Sequence, residues 1–126
     1  MKQIIAFATL ILLPVSSFAS TLQQGSYHCN GYDPINESEY SGYATVSKTN
    51  SVFQMTWDFG KKQSYEGVGL IHPEEDDILA VSFRDKNNTK KSGVKVYEVD
   101  GDQLKGHWVM LGHKTTGTEE CKKVEE

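Results

Sequence analysis

The sequence predicts an all-β protein, a single antiparallel meander of about eight strands that closes into a small barrel with one disulfide. Three observations support this prediction. Apolar and polar residues alternate in short segments, turn-forming residues separate the segments, and no stretch of about ten residues has helical periodicity. Eight antiparallel strands form a barrel just wide enough for packed side chains or for one small ligand.

The amino-terminal segment has the layout of a secretory signal peptide. Lys2 precedes an apolar run over 4–13, and small residues precede Ser20, so cleavage is expected after Ala19. The run is much shorter than the roughly 20 residues that span a bilayer, which makes a retained membrane anchor the weaker alternative. We therefore expect a signal peptide over 1–19, one β-barrel domain over 20–126, and no membrane span after cleavage. The protein is expected to be exported to the periplasm or the extracellular space.

The first three predicted strands follow the signal peptide. Residues 25–29 place Tyr27 and Cys29 on one face, because strand side chains alternate with a period of two. Residues 31–41 contain a proline and several acids, which predicts the longest irregular loop near the amino end. The strands at 42–49 and 52–59 are separated by Asn50-Ser51, and the second of them alternates aromatic or apolar residues with polar ones.

Five further strands complete the meander. A proline and an acidic run at 72–77 follow the predicted strand 63–71, and a charged, asparagine-rich loop at 85–92 follows the strand 78–84. Asp100-Gly101 is a two-residue hairpin signal that joins 93–99 to 103–111, and 116–124 closes the series. Glycines recur beside bulky residues, which is typical of the bends that coil a short sheet.

Two cysteines lie near opposite ends of the strand series. Cys29 falls in the first predicted strand and Cys121 in the last, and closure of the barrel would bring these strands side by side. Because exported proteins fold in oxidising compartments, we expect a Cys29–Cys121 disulfide across the barrel seam. Two unpaired buried thiols are the alternative. Zinc binding is less favoured, because neither cysteine has a second one at metal-ligand spacing.

The order and spacing of several short motifs resemble a module of exported bacterial proteins often described as fibronectin-binding, a small barrel of the avidin-like or lipocalin-like kind. Among these motifs are Tyr40-x-Gly42, Phe53-x-x-x-Trp57, Leu104-x-Gly106-x-Trp108 and Gly117-Thr118-Glu119. This resemblance implies a non-enzymatic protein that contacts a host or envelope protein.

A second resemblance concerns the two ends of the domain. Tyr27-x-Cys29 and the late Cys121 are similar to features of small periplasmic inhibitors of C-type lysozyme. That family carries a Ser-Gly-x-x-Tyr element in its inhibitory loop, whereas Ser92-Gly93 and Tyr97 are one residue further apart here. The resemblance implies periplasmic lysozyme inhibition.

Composition and motifs argue against several functional classes. The formal net charge is −4 and the basic residues are not clustered, which disfavours nucleic acid as a partner. We find no Gly-x-Ser-x-Gly element, and the neighbours Glu119 and Glu120 point to opposite faces of a strand, so we predict a protein that is not an enzyme. The four histidines lack close metal-ligand spacing, and we expect neither a metal site nor a cofactor.

Four aromatic residues are the candidate ligand contacts, namely Trp57, Tyr65, Tyr97 and Trp108. In a lipocalin-like barrel such side chains line a cavity, whereas in a fully packed barrel they fill the core. The sequence leaves both outcomes open.

The function that the sequence favours is that of an exported binding protein, with a protein partner that contacts loops at the barrel ends. Residues 33–41 and 85–92 are the candidate contact loops, because long polar loops vary without disturbing a core. One alternative is a carrier of a small apolar ligand in the barrel lumen. The other is a lysozyme inhibitor that inserts Lys90-Lys91-Ser92-Gly93 into the catalytic cleft.

Overall fold

Eight antiparallel strands follow one another around a closed barrel in chain order, and the last strand pairs with the first. The computed structural model describes residues 22–125. The strands are β1 (Gly25–Asp33), β2 (Ser38–Thr49), β3 (Val52–Asp58), β4 (Ser64–Ile71), β5 (Ile78–Asp85), β6 (Ser92–Asp100), β7 (Gln103–Met110) and β8 (Gly117–Lys123). The predicted all-β barrel is confirmed, whereas the signal peptide predicted over 1–19 lies outside the described residues.

Strict alternation along the strands builds the interior. β3 buries Phe53, Met55 and Trp57 and exposes the residues between them, as the period of two requires. Across the described chain no helix is long and apolar enough to cross a membrane.

The barrel seam is covalently joined. Cys29 lies directly opposite Cys121 in the β1–β8 pairing, and the two form a disulfide between positions separated by 92 residues. The predicted pairing is therefore confirmed. Because β1 and β8 also pair along their backbones, the disulfide reinforces a closure that hydrogen bonds already make.

The two ends of the barrel differ. Where β1 begins and β8 ends, apolar side chains fill the interior, and Leu22 is buried among them. At the same end, the backbone N–H of Val124 donates a hydrogen bond to the carbonyl of Ser26 at 2.9 Å. We call this the closed end. The opposite end, where the β1–β2, β3–β4 and β5–β6 turns lie, has an open interior and is called the open end.

Residues 31–41 do not form the long loop that the sequence predicts. β1 continues to Asp33 and β2 begins at Ser38, so a short turn joins them. The carboxylate of Asp33 stabilises this turn, because it accepts hydrogen bonds from the Ile35 N–H and the Asn36 side-chain amide, both at 2.8 Å. Local polarity therefore indicated the turn correctly but overstated its length.

The hairpin between β6 and β7 is one residue later than predicted. Asp100 pairs with Gln103, which leaves Gly101 and Asp102 as the turn in place of Asp100-Gly101. The observed register makes Gly101 the first of the two turn residues, and its φ of 61° is the positive value that two-residue hairpin turns require at that position. Apart from the ends at the β1–β2 turn, the strand limits agree with the prediction to about one residue.

Candidate ligand-binding site

The open end of the barrel contains a cavity of about 750 Å³, which we call the cup. This volume lies within the range of about 300–1,000 Å³ that is typical of small-molecule sites. Its wall is formed by Tyr40, Phe59, Tyr65, Phe83, Trp108 and Met110, with Lys95 at the bottom. Charged residues of both signs, among them Asp33, Lys62, Asp85 and Lys91, border its mouth. The cup is thus an apolar cavity with a mixed polar rim.

The aromatic rings of the wall form a continuous series of contacts. Trp108 contacts Tyr40 with ring centroids 6.2 Å apart, Tyr40 contacts Phe59 at 4.7 Å, and Phe59 contacts Tyr65 at 6.1 Å. Tyr65 in turn contacts Phe83 at 5.8 Å. Three of these pairs are edge-to-face and the Phe59–Tyr65 pair is tilted, and such contacts favour fixed ring orientations. The wall is therefore preformed in the absence of a ligand.

Glycines on neighbouring strands provide the space for these rings. Tyr40 lies opposite Gly31 in the β1–β2 pairing, and Trp108 lies opposite Gly117 in the β7–β8 pairing. A Cβ atom at either glycine would overlap the ring opposite. The same pairing occurs at Phe83–Gly93 and Tyr97–Gly106. The recurring glycines of the sequence thus allow large aromatic side chains to lie across the strands inside a narrow barrel.

The bottom of the cup is a buried ion pair. Lys95 Nζ lies 2.9 Å from Glu119 Oε1, and the two residues are 3% and 1% exposed. Glu119 also accepts hydrogen bonds from the hydroxyls of Tyr40, at 2.8 Å, and Tyr97. Because removing a carboxylate from water is costly unless it is paired and hydrogen-bonded, these three donors account for a buried glutamate.

The ammonium of Lys95 is also surrounded by aromatic rings. Its Nζ lies 4.3 Å from the ring centroid of Trp57, 4.9 Å from that of Phe83 and 5.6 Å from that of Phe59. Cation–π attraction therefore adds to the ion pair. Burial lowers the pKa of Lys95 below its ordinary value, and the charge and hydrogen bond of Glu119 only partly oppose this effect.

The two tyrosines at Glu119 respond in the opposite direction. Burial, reinforced by the negative charge of Glu119, raises the pKa of Tyr97 well above its ordinary value. The same two causes raise the pKa of Tyr40. Both phenols therefore remain protonated hydrogen-bond donors to the carboxylate throughout the neutral pH range.

The structure separates the four candidate ligand contacts into two pairs. Tyr65 and Trp108 line the cup. Trp57 and Tyr97 are 1% and 0% exposed and lie in the core, where the indole N–H of Trp57 donates a hydrogen bond to the Tyr97 hydroxyl at 3.3 Å. The two outcomes left open by the sequence thus both occur, a lined cavity at one level of the barrel and a packed core below it.

Sequence reasoning did not find the polar residues at the bottom of the cup. The signal was present, because Lys95 has the same strand parity as the apolar Tyr97, and Glu119 the same parity as Cys121. A charge at an interior position on each of two strands indicates a buried pair. What the sequence lacks is the register that brings β6 and β8 to the same depth.

One group of possible metal ligands occurs within residues 22–125. Cys29, Cys121 and Glu119 place their ligand atoms within 4.8 Å of one another. The two sulfurs are bonded to each other, however, and it is the thiolate that binds metals. In its oxidised form this cluster therefore offers a single carboxylate.

Comparison with known proteins supports the fold alone. No family model matches the chain, and no curated protein is significantly similar to it. Among solved structures, a redesigned β-barrel superposes with a TM-score of 0.67 at 12% sequence identity, covering 85% of this chain and 96% of the designed one. The likeness therefore concerns the barrel architecture.

Proposed function

We propose that the chain is a non-enzymatic exported binding protein that holds a small, largely apolar ligand in the cup. The single observation that carries this proposal is the open cavity of about 750 Å³ with a preformed aromatic wall. A barrel that needed its interior only for stability would fill both ends with apolar side chains, as this one does at its closed end. Export is supported by the disulfide, since such bonds persist in oxidising compartments.

Fluorescence provides a sharp test, because the chain has two tryptophans at different depths. Trp57→Phe leaves Trp108 in the cup wall as the reporter, and Trp108→Phe leaves Trp57 in the core below. We expect planar apolar ligands, such as substituted naphthalenes, to change the emission of Trp108 strongly and that of Trp57 weakly. The proposal is wrong if no member of such a panel changes either emission and calorimetry on the unsubstituted protein detects no binding.

A second candidate function is contact with a protein partner through the loops of the open end. The observation that favours it is that both candidate loops, 33–41 and 85–92, border the same end of the barrel. Residues 38–41 belong to β2, however, which reduces the first loop to a short turn. The Lys90-Lys91 pair proposed for lysozyme inhibition lies in the second loop, where both side chains are exposed.

The protein-partner candidate is tested by binding and inhibition assays with matched variants. The purified barrel is presented to fibronectin and to C-type, G-type and I-type lysozymes. Replacement of Lys90 and Lys91 by Ala at the open end should weaken any contact, and Lys105→Ala, on the outer surface of β7, should not. Absence of capture and of inhibition at micromolar protein would reject this candidate and leave the cup proposal intact.

A further inference from the structure

The ammonium of Lys95 has hydrogen-bonding capacity that the protein uses only in part. Of its three N–H donors, one is directed to Glu119 Oε1. The ammonium also lies against the rings of Trp57, Phe83 and Phe59. Aromatic faces attract a cation but accept hydrogen bonds only weakly.

 Among residues 22–125, two of the three donors therefore have no strong acceptor.

These donors lie at the bottom of the cup. Lys95 lines the cavity together with Phe59 and Phe83, the rings whose centroids are 5.6 and 4.9 Å from Nζ. A ligand that follows the aromatic wall inward therefore ends beside the ammonium. The group at the inner end of that ligand meets a positive charge that is already paired with a negative one.

The ion pair discriminates between the end groups that a ligand could carry. A carboxylate would lie close to Glu119, which is 2.9 Å from the same ammonium, and the two negative charges would repel each other in a dry site. An ammonium would be repelled by Lys95 in the same way. A purely apolar group is accepted but offers nothing to the N–H donors. An uncharged acceptor gains a hydrogen bond from a charged donor without adding a buried charge.

We infer that the cup selects planar aromatic or conjugated ligands whose inner end is an uncharged carbonyl group, with the carbonyl oxygen accepting a hydrogen bond from Lys95. The inference rests on the proposed function, because it names the ligand class of the same cavity. Lys95 acts here as a specificity-determining residue, and Glu119 holds its ammonium in position and excludes anions.

A set of four ligands of nearly equal size tests the inference. These are 2-acetylnaphthalene, 2-ethylnaphthalene, 2-naphthoate and 2-(aminomethyl)naphthalene, titrated calorimetrically into the purified barrel at pH 7. We expect the ketone to bind about tenfold more tightly than the ethyl compound, the gain of one hydrogen bond to a charged donor, and more tightly still than either ion. Equal or tighter binding of 2-naphthoate would overturn the inference while supporting the proposed function. If none of the four binds, the proposed function and the inference both fail.

Variants assign the selectivity to Lys95. The double replacement of Lys95 by Met and Glu119 by Gln removes both charges together, so neither is left unpaired in the interior. We expect it to lose the preference for the ketone over the ethyl compound. Lys105→Met, on the outer surface of β7, is the matched control and should keep that preference. Retention of the preference in the double variant would contradict the inference.

A spectroscopic measurement on the unsubstituted protein is independent of how well the variants fold. The infrared carbonyl stretch of bound 2-acetylnaphthalene should lie at lower frequency than in hexane, because hydrogen bonding to an ammonium weakens the C=O bond. A band at the hexane position would show that the carbonyl does not reach Lys95, and would overturn the inference.

Discussion

The indole of Trp108 lies against Gly117, its partner in the β7–β8 pairing, so closely that the glycine has no room for a side-chain carbon. The indole N–H also donates a hydrogen bond to the carbonyl of Thr118 at 3.3 Å. Two neighbouring residues of β8 therefore determine where this wall of the cup stands. The shape of the cavity depends on a residue that has no side chain.

Replacing Gly117 by Ala should displace the Trp108 indole towards the cavity. We expect a loss of about 1–3 kcal/mol in the free energy of unfolding, the usual cost of overpacking, together with a shift in Trp108 emission and weaker ligand binding. In the Trp57→Phe background, urea unfolding measures the first effect, the emission spectrum the second and ligand titration the third. Thr118→Ala is the control, because its exposed side chain is lost while its carbonyl stays. An unchanged emission spectrum would contradict the expected displacement.

The Lys95–Glu119 pair should be strongly coupled in a double-mutant cycle. Either Lys95→Met or Glu119→Gln alone leaves a buried group without its partner, and we expect each to cost about 3–5 kcal/mol. The double variant should lose clearly less than the sum of the two, because no uncompensated charge remains. Urea unfolding of the four proteins measures the coupling. The exposed Arg84–Glu66 pair, with an N–O distance of 2.7 Å, is the matched comparison and should show a coupling of about 1 kcal/mol or less. Additive effects at Lys95 and Glu119 would show that the pair is not a unit.

Removing the disulfide should lower stability without opening the barrel. Replacing Cys29 and Cys121 by Ser should cost about 2–5 kcal/mol, since the bond constrains a long loop in the unfolded chain. The β1–β8 backbone pairing does not depend on the sulfurs, so the circular dichroism spectrum should stay that of a β-barrel. Urea unfolding under reducing and non-reducing conditions gives the comparison. An unfolded double variant at 25 °C would show that backbone pairing alone cannot close the seam.

Stability should fall at alkaline pH. Burial raises the pKa of Tyr97 and Tyr40, so the native state keeps these protons while the unfolded state releases them near the ordinary value of 10.0. The stability contributed by these phenols is therefore complete below about pH 10 and is lost as the pH rises further. Lys95 has the opposite effect on stability as the pH rises. Burial lowers its pKa in the native state, so between that lowered value and its ordinary value of 10.5 the unfolded state holds a proton that the native state has lost.

The tyrosine effect should dominate above about pH 10, because two phenols lose their protons in the unfolded chain there, whereas Lys95 is a single group whose ordinary pKa is 10.5. We expect the urea midpoint to decrease from pH 9.5 to pH 11, with the absorbance of ionised tyrosine rising together with the loss of the folded signal. Tyr97→Phe removes one of the two buried phenolic protons, so the urea midpoint of this variant should decrease less over the same pH range. Ionisation of the buried phenols in a protein that remains folded would contradict the prediction that they lose their protons only on unfolding.

How much of the molecule follows from the sequence depends on the range of the interactions involved. Alternation in β3 and the turn residues between strands predict the architecture, because both are local. The seam was also predictable, since closure of a meander brings its first and last strands together. The length of the β1–β2 turn was not predictable, because it depends on the hydrogen bond that the Asp33 carboxylate accepts from the Ile35 N–H within the turn.

The cup was only half predictable for a related reason. Tyr65 and Trp108 are candidates because they are aromatic, and so are Trp57 and Tyr97, so nothing in the composition separates the residues of the cup from those of the core. Depth in a barrel is set by register and strand tilt, which are properties of several strands together. Lys95 and Glu119 meet across 24 positions of sequence for the same reason, so only the assembled barrel identifies them as partners.

The closed end has a practical and a topological consequence. The described chain enters the barrel at Leu22 and leaves it after Val124, and both positions lie at the end opposite the cup. A tether, tag or solid support attached at either terminus would therefore present the mouth to the surrounding solution. Core side chains fill the closed end, so a ligand enters and leaves the cup through the same mouth. Whatever obstructs the rim therefore slows association and dissociation to the same degree.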